Sequence, residues 1–286
     1  MNSQPNNKTT HANVFIPILA ICLYILIASS AHAEDAIKLK SFSTDNGIKS
    51  LGLSLNYSWV LSSTAAASLR GNISGDNRVS LNDFLDMNVN DEIFSPFGIT
   101  SLYFNGGLGF ESDQTFKNDQ IYFGGNLTYA PSTTNKEYNV FDWPFAALRW
   151  LFRQEKVNTG IMPSFLAGYE LTDPQSGSTV STHTNGATYP RLHLEASMNT
   201  PLIWNPGSPN IYIEMDYRYY KETNPSDATI DAGLDRFEYF AIAMKFPRCE
   251  ILGNGGPYIG ISTGTLPLDS KTDHVLEAGI NYALPH

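Results

Sequence analysis

Apolar and polar residues alternate with a period of two along most of this chain, in segments bounded by turn-forming residues. In 51–59, Leu51, Leu53, Leu55, Tyr57 and Trp59 share one face, and Gly52, Ser54, Asn56 and Ser58 the other. In 102–110, Leu102, Phe104, Leu108 and Phe110 oppose Tyr103, Asn105, Gly107 and Gly109. In 121–129, Ile121, Phe123, Leu127 and Tyr129 oppose Tyr122, Gly124, Asn126 and Thr128. The same rhythm sets Leu192, Leu194, Ala196 and Met198 against Arg191, His193, Glu195 and Ser197. It also sets Ile211, Ile213, Met215, Tyr217 and Tyr219 against Tyr212, Glu214, Asp216, Arg218 and Tyr220. Period two is the signature of a strand with two unlike faces. The pattern predicts twelve strands, at 36–43, 49–60, 63–75, 98–111, 119–130, 143–154, 159–172, 188–200, 209–221, 235–247, 255–266 and 273–284. Ten remain if the first and sixth are discounted. Sustained helical periodicity is absent.

The predicted strands are long. Strands of soluble proteins run to about 5–6 residues, whereas those that cross a bilayer need about 9–11. The predicted connections also alternate: 61–62 and 155–158 are short, while 76–97, 131–142, 173–187 and 222–234 are long. Short periplasmic turns and long external loops have this form, with both termini on the periplasmic side. In hydrocarbon every backbone N–H and C=O must be paired, so an open sheet edge is excluded and the sheet must close. The expected fold is therefore all-β, an antiparallel up-and-down transmembrane barrel of about twelve strands. Tyr57, Trp59, Tyr129, Trp150, Tyr169 and Tyr282 are candidates for aromatic girdles at the two interfaces.

The first 33 residues read differently. Lys8 precedes a mostly apolar run at 14–28, and Ala31-His32-Ala33 follows with small residues at the cleavage positions. This is the layout of a secretory signal peptide, and the run is short for a spanning helix. Ile21 before Cys22 stands where a lipoprotein signal needs a small residue. The expected organisation is a signal peptide at 1–33 and a barrel domain at 34–286.

The C-terminal segment Gly279-Ile280-Asn281-Tyr282-Ala283-Leu284 resembles the assembly signal of bacterial outer-membrane β-barrels, with apolar Tyr282 and Leu284 three and five positions after Gly279. It departs from that pattern at Ala278, where a polar residue is common, and in the extension Pro285-His286. The resemblance implies an outer-membrane location, contact with outer-membrane lipid and lipopolysaccharide, and delivery by the barrel-assembly machinery.

Composition narrows the reading. Among 286 residues, 12% are aromatic and 16% charged, against about 25% charged in ordinary soluble domains. A mean hydropathy of -0.20 is too polar for a bundle of membrane helices. The net charge of -10, and of -11 without residues 1–33, argues against nucleic acid as a partner. Cys249 is the single cysteine after residue 33, so no internal disulfide can form there.

Two constellations could carry chemistry. Arg191, His193, Glu195 and Ser197 lie on one strand face, and His193, Glu195 and Ser197 have the residue types of a hydrolase triad. Outer-membrane phospholipases and lipid A deacylases look like this, but with His and Ser two residues apart and facing lipid. Here the interval is four and the face is polar. Asn72, Ser74, Asp76, Ser80 and Asp83 occupy positions one, three, five, nine and twelve of a window similar to an EF-hand or dockerin-type calcium loop. Asn72 replaces the usual Asp there and Asn77 the usual Gly. Calcium is thus the one inorganic ligand suggested, and no cofactor is expected otherwise. Phosphate-binding Gly loops, HExxH and CxxC are absent.

The remaining polar-face charges are candidates for lining the lumen: Arg70, Arg149, Arg153, Glu170, Arg191, Glu195, Glu214, Asp216, Arg218, Lys245 and Glu277. Their signs nearly cancel. No single-sign selectivity ring is expected, and the mixture fits either a narrow pore or an interior knit by salt bridges. Three functions are compatible: a channel or passive transporter for small polar solutes, a barrel enzyme acting on lipid or lipopolysaccharide, and a non-enzymatic surface protein binding through loops such as 76–97 and 173–187.

Overall fold

The computed structural model describes residues 36–44, 49–61, 65–74, 84–94, 102–113, 118–129, 147, 150–151, 162–174, 186–205, 208–246, 250–252, 255–267 and 273–283. They form twelve strands: β1 (Ala36–Thr44), β2 (Lys49–Val60), β3 (Ala65–Ser74), β4 (Phe84–Phe94), β5 (Leu102–Asp113), β6 (Asp119–Tyr129), β7 (Met162–Pro174), β8 (Tyr189–Asn205), β9 (Ser208–Glu222), β10 (Arg236–Lys245), β11 (Gly256–Gly264) and β12 (Asp273–Ala283). Each pairs antiparallel with its sequence neighbours. β1 also pairs with β12, from Ala36 opposite Ala283 to Thr44 opposite Val275, so the sheet is a closed barrel. The shortest strands have 9 residues and the longest 17, enough to cross a bilayer when tilted.

The two faces are unlike in the way the alternation predicts. Leu51 is 72% exposed, Phe123 63%, Leu108 55% and Leu276 51%, all on the outer face. A continuous exposed apolar surface of this kind is tolerated only against lipid or a partner. The inner face carries the buried polar groups, among them Lys40, Glu111, Gln120, Glu170, Thr172 and Arg191. Ion pairs between strands that are not neighbours, such as Arg70 on β3 with Glu195 on β8, fix this face as the interior.

The strand count of twelve is reached by a different route from the one the alternation suggests. Residues 84–94 form β4, inside a segment expected to be loop. Its acids, Asp86, Asp91 and Glu92, read in the sequence as a solvated loop, yet Leu85, Met87 and Val89 keep the alternation, and the backbone pairs from Phe84 opposite Asp113. Of the expected strand at 143–154, Ala147, Trp150 and Leu151 are helical, and the other positions lie outside the described residues. Pro144 heads a run of good helix formers there, and proline favours the first helical turn. The connection from β6 to β7 consequently runs from 130 to 161. Strand parity puts it at the end holding both termini, so it is not an external loop as expected. Strand β8 also runs to Asn205, past the expected end at 200, because a register shift between Pro201 and Ile203 accommodates the proline.

At the other end, the β9–β10 connection carries a short helix, α1 (Asp227–Asp231). Ser226 caps it, its hydroxyl accepting from the Thr229 amide at 3.2 Å. Gly233 follows at φ 68, a left-handed stop that glycine adopts without a Cβ clash. Leu234 from this connection and Leu266 from the β11–β12 connection then pack on Tyr220, Phe237 and Tyr239.

The closing seam leaves no room at Gly279, the first residue of the assembly-signal resemblance. A Cβ there would lie 2.0 Å from the Leu39 carbonyl oxygen on β1. Tyr282 is paired opposite Ile37, and Leu284 lies outside the described residues. Gly279→Val is expected to destabilise the barrel by about 3 kcal/mol or more through backbone overpacking. Urea titration of the barrel in lipid vesicles checks this, and an unchanged midpoint would contradict the seam geometry.

Candidate functional site

The interior is organised around Arg191 on β8. Its guanidinium donates to both carboxylate oxygens of Glu111 on β5, at 3.0 Å each, and to Glu170 on β7 at 2.6 and 2.9 Å. The forked geometry matches a carboxylate as a lysine ammonium cannot. The rings of Tyr220 and Tyr122 flank it, with centroids 4.7 and 5.7 Å away. Only 1% of Arg191 is exposed, so its charge is stable there because two carboxylates answer it.

A chain of contacts extends from this node in both directions. Gln120 on β6 donates to Glu111 at 2.6 Å, and the Tyr189 hydroxyl donates to Gln120 at 2.8 Å. On the other side His193 Nδ1 lies 3.0 Å from Glu170, and its ring stacks on Tyr220 at 4.3 Å. His193 Nε2 is 3.7 Å from Glu195, which in turn faces Arg70 across the barrel at 3.9 Å. A second crossing joins Lys38 on β1 to Glu214 on β9 at 3.8 Å. Lys245 on β10 also pairs with Glu214, Lys40 with Glu277 at 3.3 Å, and Arg218 with Asp216 at 2.6 Å. A cavity of about 120 Å³ remains beside His193, bounded by Arg70, Tyr122, Asn126, Glu195, Arg218 and Tyr220 among others. Even in the interior, the Arg70 and Glu214 side chains keep 39% and 37% of their accessibility.

Of the lumen candidates, Arg70, Glu170, Arg191, Glu195, Glu214, Asp216, Arg218, Lys245 and Glu277 all point inward and join these pairs. Arg149 and Arg153 lie outside the described residues. Lys38, Lys40 and Glu111 also take part, although composition alone did not single them out. The alternation Ile37-Lys38-Leu39-Lys40 was the available signal for two of them, and for Glu111 the inward parity of Gly107 and Gly109.

The structure does not assemble the hydrolase pattern. Both ring nitrogens of His193 face carboxylates, Glu170 and Glu195. Ser197 lies four residues further along an extended strand, a rise of about 13 Å, and is opposite Ser164 and Asp216. Of the calcium-loop candidates, Asn72 and Ser74 belong to the β3 ladder, opposite Ser54 and Gly52. Asp76, Ser80 and Asp83 lie outside the described residues, as does Cys249.

Replacing Arg191 tests the node. Arg191→Leu leaves Glu111 and Glu170 buried without their cation and is expected to cost about 3–5 kcal/mol of stability. Arg191→Lys should recover part of this loss. Urea unfolding followed by Trp fluorescence reads both; a variant as stable as the wild type would show that the network is dispensable.

No protein-family model matches the sequence, and no curated protein is similar to it. Several solved structures are similar in fold. The NanC porin is 9% identical over 87% of this chain and 100% of its own, with a TM-score of 0.49. The KdgM porin, solved in complex with disordered oligogalacturonate, is 10% identical over 87% of this chain and 99% of its own, with a TM-score of 0.41. An outer membrane channel from Pseudomonas putida F1 is 8% identical over 90% of this chain and 97% of its own, with a TM-score of 0.38. By its own geometry the chain is a closed antiparallel β-barrel with an apolar exterior and a charged interior.

Proposed function

We propose that the protein is an outer-membrane channel that passes small polar solutes through a constricted lumen lined by charges of both signs. The observation that carries this reading is the pair of ion contacts crossing the interior, Lys38–Glu214 and Arg70–Glu195, the second beside unfilled space. Neither crossing is tight. At 3.8–3.9 Å, with accessible partners, these are contacts that water and a solute can compete for, unlike the buried Arg191 fork. A barrel of ~12 strands falls between the filled eight-stranded type and the open porin of 16 strands. The near balance of inner charge favours weak discrimination between anions and cations.

The lipid-hydrolase reading loses its motive with Ser197 out of reach of His193. Interior placement also removes His193 from lipid, since the outer face alone meets the bilayer.

Conductance of the purified protein in a planar bilayer tests the channel. Wild type is expected to give discrete, weakly selective steps. Arg70→Ala and Glu195→Ala, which remove the β3–β8 crossing, are expected to raise the single-channel conductance. Silence from the wild type and from both variants would overturn the channel reading.

A further inference from the structure

Among the described residues, the outer face brings two cations together at the end of β9 and the start of β10. Lys221 at the end of β9 and Arg236 at the start of β10 are opposite one another in the ladder, and both are exposed. They point outward. Their neighbours Tyr220, Glu222 and Phe237 are the buried, inward ones, and Lys221 is also opposite lipid-facing Leu192 of β8.

The local hydrogen bonding makes the pair closer still. The Glu222 amide donates to the Asp235 carbonyl at 2.8 Å, so Glu222 and Asp235 are a hydrogen-bonded pair. In an antiparallel ladder the two kinds of pair alternate. Lys221 and Arg236 are therefore a non-hydrogen-bonded pair, the kind with Cα atoms about 4.5 Å apart and side chains closest together. Like charges directly opposite each other destabilise a sheet. Among the described residues, neither cation has an ion-pair partner. The nearest acid in register, Glu238, is two residues along β10, where it accepts from the Tyr217 hydroxyl at 3.0 Å.

The position along the strands indicates what would answer the charge. Tyr217 and Tyr219 precede Lys221 on the same outward face, and tyrosines of barrels concentrate at the membrane–water interface. One step beyond that level is where lipid phosphates lie. The β9–β10 connection is at the end opposite the termini, which is the external end if residues 1–33 deliver the N-terminus to the periplasm.

We propose that Lys221 and Arg236 form an outward-facing clamp for a phosphate of lipid A in the external leaflet. The phosphate would bridge the two cations and relieve their repulsion, while Leu192 and Tyr219 border the acyl chains. This inference rests on the outer-membrane reading above. It adds to that reading a lipid site on the outside of the barrel, separate from the lumen.

The test uses the full-length mature barrel purified in detergent and titrated with bisphosphorylated lipid A, with dephosphorylated lipid A as the comparison. Wild type is expected to prefer the phosphorylated form. The double variant Lys221→Gln/Arg236→Gln should bind it roughly thirtyfold more weakly, as the loss of about 1 kcal/mol per cation implies. Lys49→Gln, which removes an exposed rim cation with no cation opposite it, should leave binding unchanged; it is opposite Ser43. Equal affinity for the two lipids, equal affinity of wild type and double variant, or an equal loss in Lys49→Gln would each overturn the clamp. Tighter binding of phosphatidylglycerol than of lipid A would overturn it in favour of the inner leaflet. Circular dichroism confirms that each variant keeps its sheet. Recovery of the wild type outside the outer-membrane fraction would instead overturn the membrane reading, and the clamp with it.

Discussion

A backbone inside hydrocarbon has no water to bond with, and every feature of this protein follows from how it meets that constraint. Twelve strands pair around a closed circuit, and the seam between β1 and β12 is the step that removes the last open edge. The seam also leaves no room at Gly279, which faces the Leu39 carbonyl too closely for any side chain. Once the sheet is closed, period-two alternation has only one consequence. One face meets lipid, and the other is forced inward whatever its polarity.

That forced interior explains the charge network. Groups such as Arg191, Glu111 and Glu170 are costly to remove from water, and isolated they would not stay charged. Around the barrel wall they are answered by bidentate pairing and by Tyr and Gln partners. The result has two grades of interaction. The Arg191 fork on β5–β8 is tight and buried, whereas the contacts that cross to β3 and β1 are long and partly accessible. A firm wall with loose crossings is the arrangement on which the proposed channel rests.

Much of this was legible in the residues. Alternation located most of the strands, assigned Leu108 and Phe123 to the outside and put Arg191, His193 and Glu195 on one inner face. Three things were hidden, each for a physical reason. Strand β4 was obscured because Asp86, Asp91 and Glu92 read in sequence as a solvated loop. The helical residues near 150 were obscured because a short apolar run satisfies both periods, and Pro144 with Ala146 and Ala147 favours the helix. The pairing itself was not legible at all. Which carboxylate answers Arg191 depends on the register between β5 and β8, strands separated by more than 70 residues of chain, and Glu111 appears as a partner only once the sheet has closed.

The closed circuit is the central claim, and gel mobility tests it most directly. A sample from the outer-membrane fraction is run on a denaturing gel with and without boiling. A closed barrel resists the detergent until heated, so the unboiled band is expected to run faster than the boiled one. A protein that fractionates as soluble and runs identically in both lanes would contradict the closed barrel, and the alternating faces would then have to enclose a buried apolar core.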